Sequence, residues 1–507
     1  MKAWLLPLII GGAAVLVGAA FSWVPSFWWD EAATISAADR SVAALFELHT
    51  LRDAVHGLHN LLLHWWFSLV GISEFTARIP GAVALGVGAA AVTATGQILA
   101  GRRVALAAGI LFMITPRVTW AATEARSYAF AIAGVAVLTL LLVAATTTGR
   151  ARWWVPYALL VTVSTVMFVY SATVLLAHAV TVLVHKRDRV RFVVAAVVGL
   201  ASAGPFVVLA ASQVHQVSWI PPLDVTVVRT ILVDQWFPQA PWAAALCGVI
   251  VAVGAVVAVR RGVTPGDRML LWVAVPGFTV PMAVLLVGSL VSRNMYLDRY
   301  LSFTVPAMAL LVGWALARIA TRWWTMVVLF VALIVAVSPA YVAQRQPFGK
   351  AGGMDYSAVA DRLIEVSEAG DCVAFEPDVS WAPTSPRAVM DARPDAVDGL
   401  DDVGLGLSAV ERTNLWSSDA SPTELAERAS TRCEVLWVIA DRDRDTAWRL
   451  WHPNNVWWRF EPYRFTDTDT YRELAAADFE ITGREPIHRS QLIRWEPAQT
   501  LVPTQTQ

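Results

Sequence analysis

The feature that most constrains the fold is a series of apolar runs, each close to the roughly 20 residues that a helix needs to cross a bilayer. Eight runs of this length are present: 4–22, 79–99, 122–146, 190–211, 241–259, 269–291, 300–317 and 324–341. The stretch 153–185 fits two shorter spans that turn near Tyr170, and the segments 58–71 and 103–115 are only 14 and 13 residues long. The sequence therefore predicts an α-helical polytopic membrane protein with about 11–13 spans.

The composition supports a membrane protein and also divides the chain. Of its 507 residues, 56% are hydrophobic and 16% are charged, whereas a soluble domain has about 25% charged residues. This excludes a simple soluble enzyme and a disordered chain. Up to Tyr341 there are 22 basic and 12 acidic residues, and from Val342 onward 17 basic and 28 acidic ones. We therefore predict a membrane-embedded domain over 1–341 and a soluble domain over 342–507.

The distribution of arginine and lysine predicts the orientation of the spans. Positive charge in short loops marks the cytoplasmic side. Basic clusters lie at 150–152, 186–191, 260–268 and 318–322. With Lys2 also inside, the tail after Tyr341 lies outside, which requires an odd number of crossings. One of the segments 58–71 and 103–115 therefore does not cross. The expected location is the cytoplasmic membrane, in a multi-pass topology with an extracytoplasmic C-terminal domain.

The tail has the pattern of a small α/β domain. Residues 355–375 read as an amphipathic helix, a Gly-Asp turn and a buried strand, and 421–440 repeat that order after a Ser-x-x-Glu capping box. Cys372 and Cys433 each begin an apolar strand, so they form either a disulfide or two buried thiols.

Acidic residues concentrate just after the first span. Five of the twelve acids in the membrane half fall before residue 54, and Asp30 and Glu31 directly follow a Trp pair. An interfacial aromatic belt with solvated acids is one interpretation. The other is a functional site, because carboxylates near hydrocarbon are costly unless they are paired or used. Further along, Asp53 with His56 and Glu124 with Arg126 fall on the same predicted side.

These residues occur in an order that resembles a known superfamily. The order is Asp30-Glu31, Asp53-x-x-His56, Glu74-x-x-x-Arg78-x-Pro80, Pro116, Glu124-Ala-Arg126-Ser-Tyr128, Asp298-Arg299-Tyr300 and Pro306. Over residues 1–340 it resembles the C-type glycosyltransferases (GT-C), the superfamily of protein O-mannosyltransferases and the lipid A aminoarabinose transferase. Within it, the chain is most similar to a bacterial branch described as mannosyltransferases.

The resemblance implies inverting transfer of a sugar, mannose by preference, from a polyprenyl-phosphate donor to a glycan, lipid or protein acceptor. Asp30 is the expected base, and Glu31 orients the loop or pairs with a basic side chain. Asp53 and His56 would position the acceptor or a divalent cation. Arginine forks onto phosphate oxygens. The candidate substrate-binding residues are Asp53, His56, Glu124, Arg126, Tyr128, Arg293, Arg299 and Tyr300.

Other functions fit parts of the pattern. The same fold could transfer arabinofuranose or aminoarabinose. A lipid or polysaccharide transporter would place carboxylates in mid-span as ion relays, and a noncatalytic scaffold would use the tail to bind cell-wall glycan. No nucleotide-type Gly-rich loop and no metal motif with ligand spacing occurs in the sequence, and nothing in it indicates nucleic-acid binding.

Overall fold

The computed structural model describes residues 4–186, 188–376, 385–452 and 456–498, apart from the side chains of 450–452 and 456–458. By internal packing the chain divides into two compact units. Unit 1 comprises Met1–Val24, His49–Leu63 and Phe75–Gln346, and unit 2 comprises Pro25–Leu48, His64–Glu74 and Pro347–Gln507. Each unit is described by itself.

The chain up to Gln346 is helical. Its helices are α1 (Leu5–Ala19), α2 (Trp29–Ala38), α3 (Val42–Leu51), α4 (Gly57–Val70), α5 (Glu74–Ala100), α6 (Arg102–Ile114), α7 (Pro116–Ala121), α8 (Tyr128–Thr148), α9 (Trp154–Met167), α10 (Val174–His185), α11 (Arg189–Ser212), α12 (Val227–Arg229), α13 (Pro241–Arg261), α14 (Pro265–Val291), α15 (Val305–Ile319) and α16 (Trp323–Ala343). Short 3-10 turns connect several of them, including Ala54–His56, Val169–Thr173, Val214–Val217 and Asp298–Thr304.

Seven helical segments of the described chain are long and apolar enough to cross a membrane. They are Glu74–Ala100, Tyr128–Thr148, Arg189–Ser212, Pro241–Arg261, Pro265–Val291, Asp298–Ile319 and Trp323–Ala343. The stretch 153–185 divides into α9 and α10 at a 3-10 turn that contains Tyr170, as its composition predicts. The protein is therefore a multi-pass membrane protein, and the count of 11–13 crossings, which includes shorter helices such as α1, stays a prediction.

The core of unit 1 is built around α15. This helix packs on α6, α13 and α14, and its glycine and alanine positions let the neighbours approach closely. A Cβ at Gly313 would lie 2.5 Å from the backbone nitrogen of Ala108 in α6. By contrast, α11, α13 and α16 expose rows of valine, which is the composition of lipid-facing helices.

One predicted span begins later than its apolar composition suggests. The run 122–146 is helical only from Tyr128, because α7 ends at Ala121 and a non-helical connection follows. Glu124 and Arg126 lie in that connection. These two polar residues therefore lie outside the helices, where their side chains can contact other parts of the protein.

The tail forms the predicted α/β fold. Its elements are α17 (Tyr356–Val366), β1 (Cys372–Phe375), α18 (Ala388–Ala392), β2 (Asp401–Asp402), α19 (Pro422–Arg432), β3 (Leu436–Asp441), β4 (Trp448–His452), β5 (Val456–Phe460), α20 (Asp469–Ala476), β6 (Phe479–Pro486) and β7 (Ser490–Pro497). Five strands pair in the order β2-β1-β3-β7-β6, with β1 parallel to β2 and β3. β7 runs antiparallel to both of its neighbours, and β4 pairs with β5 as a separate hairpin.

Local signals in the tail explain where its elements begin. Ser421 and Glu424 form the predicted capping box at the start of α19. All six residues of β3 are buried, as expected for a central strand covered on both faces. A disulfide joins Cys372 at the start of β1 to Cys433 just after α19, with the Cα atoms 5.6 Å apart. In unit 2, α2 also packs against α18.

Candidate active site

In unit 1, an arginine and a histidine from distant parts of the sequence meet. Arg126 Nη2 lies 3.0 Å from His56 Nε2. His56 ends the 3-10 turn that follows Asp53, and Asp53 Oδ1 is 3.8 Å from the same nitrogen. Asp53 itself has a φ of 55°, a left-handed conformation that is uncommon for a residue other than glycine. The turn thus brings a carboxylate, an imidazole and a guanidinium together.

The electrostatics of this cluster favour a neutral imidazole. Burial lowers the pKa of His56 well below its ordinary value of 6.5, and the charge of Arg126 lowers that pKa further. A neutral imidazole that accepts at Nε2 carries its proton on Nδ1. That Nδ1 atom has no hydrogen-bond partner among the described residues. His56 can therefore donate a hydrogen bond to a ligand atom.

Arg299 adds a second buried guanidinium to the surroundings of His56. It lies in the 3-10 turn that leads into α15, is 8% exposed, and acts electrostatically on His56. Its guanidinium carbon is 5.6 Å from the centre of the Trp219 ring, within the range of a cation–π interaction. The adjacent Tyr300 stacks on Tyr170 with ring centres 5.4 Å apart. Unit 1 therefore holds a cationic cluster, which we define as His56, Arg126 and Arg299.

The remaining unit 1 candidates differ in exposure. Glu124 is 1% exposed and Tyr128 is 3% exposed. Tyr128 packs among aromatic rings, with its ring centre 5.1 Å from that of Trp120 and 5.9 Å from that of Phe168. Arg293, by contrast, is exposed in the connection after α14. Exposure to water weakens the case for Arg293 as a phosphate ligand and favours Arg126 and Arg299.

Sequence reasoning missed Arg117, which supports the Arg299 turn. Arg117 is 3% exposed and forms an ion pair with Asp298, the residue before Arg299. Its Nε donates to the carbonyl oxygen of Gln235 at 2.9 Å, and its guanidinium lies 4.9 Å from the centre of the Trp120 ring. A charged residue inside an otherwise apolar stretch was the available signal. Its ion-pair and hydrogen-bond partners, Asp298 and Gln235, could not be read from the sequence because they are more than 100 residues away.

Unit 2 holds the two carboxylates that the sequence singled out. Asp30 and Glu31 lie in the first turn of α2, where the helix dipole favours negative charge. Successive helical residues point about 100° apart, so the two side chains meet different surroundings. Glu31 is fully buried and its carboxylate lies 3.9 Å from the ammonium of Lys350, whereas Asp30 is partly exposed. The sequence analysis did not identify Lys350.

A metal ligand set is not evident in the described part of the chain. No group of three or more His, Cys, Asp or Glu side chains there could hold a metal ion. The divalent cation considered as an alternative ligand of Asp53 and His56 stays a prediction. That Asp30 shares a cavity with the cationic cluster stays a prediction.

Comparisons with known proteins agree at the level of fold. No family model and no curated protein sequence matches the chain. Among solved structures it is similar to ArnT from Cupriavidus metallidurans in the apo state, at 12% identity with a TM-score of 0.57, covering 96% of this chain and 97% of ArnT. For ArnT bound to undecaprenyl phosphate the TM-score is 0.54 at 13% identity, with the same coverage. The chain has the GT-C fold.

A third structure extends the comparison within the GT-C fold. The arabinofuranosyltransferase AftD from Mycobacteria matches with a TM-score of 0.50 at 15% identity, over 97% of this chain and 40% of AftD. The resemblance predicted from the sequence is thus confirmed at the level of the fold. Membership of the mannosyltransferase branch stays a prediction, because identities this low show the fold only.

Proposed function

We propose that this protein is an inverting glycosyltransferase, which moves a sugar from a polyprenyl-phosphate donor to an acceptor at the outer face of the cytoplasmic membrane. The observation that carries the proposal is the cationic cluster, with the two buried guanidiniums of Arg126 and Arg299 and the imidazole of His56. Guanidiniums present planar forks of N–H groups that match phosphate oxygens, and they stay charged when buried. The ArnT structure with undecaprenyl phosphate supports this ligand class.

In the proposed reaction, Asp30 takes the proton of the acceptor hydroxyl. The acceptor oxygen then forms a bond to the anomeric carbon while the bond from that carbon to the phosphate oxygen breaks. The polyprenyl phosphate leaves with the electron pair, from the face opposite the new bond, and the anomeric configuration inverts. Arg126 and Arg299 stabilise the charge that develops on the leaving phosphate. A phosphate is a good enough leaving group that a separate general acid is unnecessary.

The remaining side chains have supporting roles. His56 donates from Nδ1 to an oxygen of the donor or acceptor, and Asp53 accepts from an acceptor hydroxyl. Glu124, Tyr128 and Tyr300 shape the wall of the site. Glu31 holds the first turn of α2 against Lys350 and leaves proton transfer to Asp30.

Two sugars are supported by different observations. The order of motifs favours mannose, and the similarity to AftD favours arabinofuranose equally. A transporter is disfavoured, because the acids in the seven candidate spans lie at helix starts: Glu74 begins α5, Asp267 caps α14 and Asp298 begins the turn before α15. A proton or ion relay would need carboxylates in mid-span. The tail, as an extracytoplasmic domain, would cover the site or bind the acceptor.

A transfer assay tests the proposal. Membranes containing wild type or Asp30→Asn are given radiolabelled polyprenyl-phosphate mannose or, separately, polyprenyl-phosphate arabinofuranose, and label in the acceptor fraction is measured. Loss of a general base typically costs about 100- to 10,000-fold in rate. Asp224→Asn, at an exposed aspartate of the 212–240 loop, is the matched control and should retain wild-type transfer.

The outcomes separate the class of reaction from the role of Asp30. Transfer from one donor that Asp30→Asn abolishes supports both. Full activity of Asp30→Asn would overturn the assignment of the base. If the wild type transferred sugar from neither donor, while binding no undecaprenyl phosphate, the proposed function itself would be wrong.

A further inference from the structure

Two glutamines that follow α11 contact the turn that carries Asp53 and His56. Gln213 is 7% exposed and Gln216 is half-buried. Gln213 Oε1 accepts from the backbone N–H of Ala54 at 2.9 Å, and Gln216 Oε1 accepts from the N–H of Asp53 at 3.0 Å. These two N–H groups begin the 3-10 turn, where the backbone has no partner of its own.

The other end of each amide completes the contact. Gln213 Nε2 donates to the carbonyl oxygen of His49 at 2.9 Å, and Gln216 Nε2 donates to that of Leu51 at 3.4 Å. Both carbonyls belong to the last turn of α3, which also lacks intrahelical partners. Each glutamine therefore joins the end of one helix to the start of the next turn. A side-chain amide can accept and donate in this way with a single planar group.

The hydrogen bonds of the two glutamines surround Asp53, whose backbone has a disfavoured conformation. Asp53 lies at the point between the two helical elements with a φ of 55°. A non-glycine residue is disfavoured in this region and persists there when surrounding contacts hold it. Four hydrogen bonds from the two glutamines hold this turn. Asp53 directly precedes the turn and His56 ends it.

We propose that Gln213 and Gln216 are positioning residues for the transfer reaction, because they hold the Asp53–His56 turn in the conformation that presents the carboxylate and imidazole. The inference rests on the proposed function and adds to it. Neither glutamine contacts the reacting atoms. Their effect on the rate passes through the placement of Asp53 and His56, and a displacement of about 1 Å can cost about 100-fold in rate.

The test compares the paired variant Gln213→Met/Gln216→Met with wild type. Methionine keeps the length and volume of glutamine and removes all four hydrogen bonds. We expect the transfer rate per folded molecule to fall about 10- to 100-fold. The dissociation constant for undecaprenyl phosphate should stay within about twofold, since Arg126 and Arg299 are intact. Gln346→Met is the matched control, because Gln346 is exposed and its amide donates to the carbonyl oxygen of Val342 at the end of α16.

A second pair of variants separates positioning from a general loss of structure. Gln213→Glu still accepts from Ala54 N–H but cannot donate to His49, so it should recover part of the rate that Gln213→Met loses. A merely structural role would instead lower the rate, the bound fraction of undecaprenyl phosphate and the melting temperature together. Either that joint loss or a paired methionine variant with wild-type rate would overturn the inference.

The proposed function can fail separately. In that case the wild type transfers no sugar from any lipid-linked donor. If the wild type is active and the glutamine variants match it, the function stands and only the positioning role is wrong.

Discussion

The ammonium of Lys350 lies 3.9 Å from the carboxylate of Glu31, and the side chains are 4% and 0% exposed. The pair joins the first turn of α2 to the segment that precedes α17, and both residues belong to unit 2. Backbone contacts support the same junction: Ser26 N–H donates to the carbonyl oxygen of Pro347 at 2.8 Å. The neighbour of Asp30 is thus fixed by a residue about 320 positions away.

Replacing Lys350 should leave the buried carboxylate of Glu31 without the compensating charge of the ammonium group. Breaking one partner of a buried ion pair costs about 3–5 kcal/mol, so Lys350→Met should lower the melting temperature of the detergent-solubilised protein and reduce sugar transfer. Lys350→Met/Glu31→Gln should recover much of the stability. Lys186→Met, at an exposed lysine, should change neither quantity. Wild-type stability in Lys350→Met would show that the pair contributes little.

The two proposed phosphate ligands, Arg126 and Arg299, can be tested with variants that keep the positive charge and change the shape of the side chain. Arg126→Lys and Arg299→Lys keep the positive charge but lose the planar fork of N–H groups. We expect each to weaken undecaprenyl phosphate binding about tenfold, equal to about 1.4 kcal/mol, as measured by tryptophan fluorescence. Arg229→Lys is the control, since the Arg229 side chain is 75% exposed. If all three variants and the wild type bound undecaprenyl phosphate with equal affinity, the cationic cluster would not be the phosphate-binding site.

Features that depend on local sequence could be predicted. An apolar run of 20 residues has few stable outcomes in a membrane, and the helices α11, α13 and α16 follow from it directly. The capping box at Ser421 and Glu424 set the start of α19 for a similarly local reason. The sequence did not predict the break after α7, because hydropathy does not indicate where a helix ends within a continuous apolar segment.

The candidate site was predicted in part. Its charged residues could be found because acids and arginines are rare in the membrane half. Their partners could not, because Arg126 reaches His56 across 70 positions and Lys350 reaches Glu31 across more than 300. Such pairs are set by tertiary packing. Gln213 and Gln216 could not be identified from the sequence, since two polar residues just after a predicted span look like ordinary solvent-exposed side chains.

The disulfide should contribute to the stability of the tail. Cys372 and Cys433 are 61 positions apart, and closing a loop of this length restricts the unfolded chain by about 4 kcal/mol in the chain-entropy model. Cys372→Ala/Cys433→Ala should therefore lower the melting temperature, and a strong reductant should lower that of the wild type to match. Cys247→Ala, at a buried cysteine outside the disulfide, is the control and should retain sensitivity to reductant. A wild type insensitive to reductant, with both thiols free to alkylation, would contradict the disulfide.

A buried carboxyl in α18 should make the stability of unit 2 depend on pH. Burial raises the pKa of Asp391 from its ordinary 3.8 to about 7, although the charges of Arg387 and Arg40 oppose the rise. Between these two values the folded state binds more protons than the unfolded state, so stability decreases as pH rises from about 4 to about 7. Above pH 7 both states have lost the proton, and the penalty is then constant at about 4 kcal/mol.

Asp391→Asn tests this sign, because asparagine keeps the shape and cannot ionise. At pH 4 the variant and wild type should melt at similar temperatures, and the variant should become the more stable one as pH rises toward 7. A difference of about 4 kcal/mol corresponds to about 8–16 °C for a unit of this size, readable by thermal scanning of the full chain in detergent. Asp445→Asn, at a side chain that is 78% exposed, should stay within about 1 °C of wild type. A variant that becomes less stable than the wild type as pH rises would mean that the charges of Arg387 and Arg40 outweigh burial at Asp391.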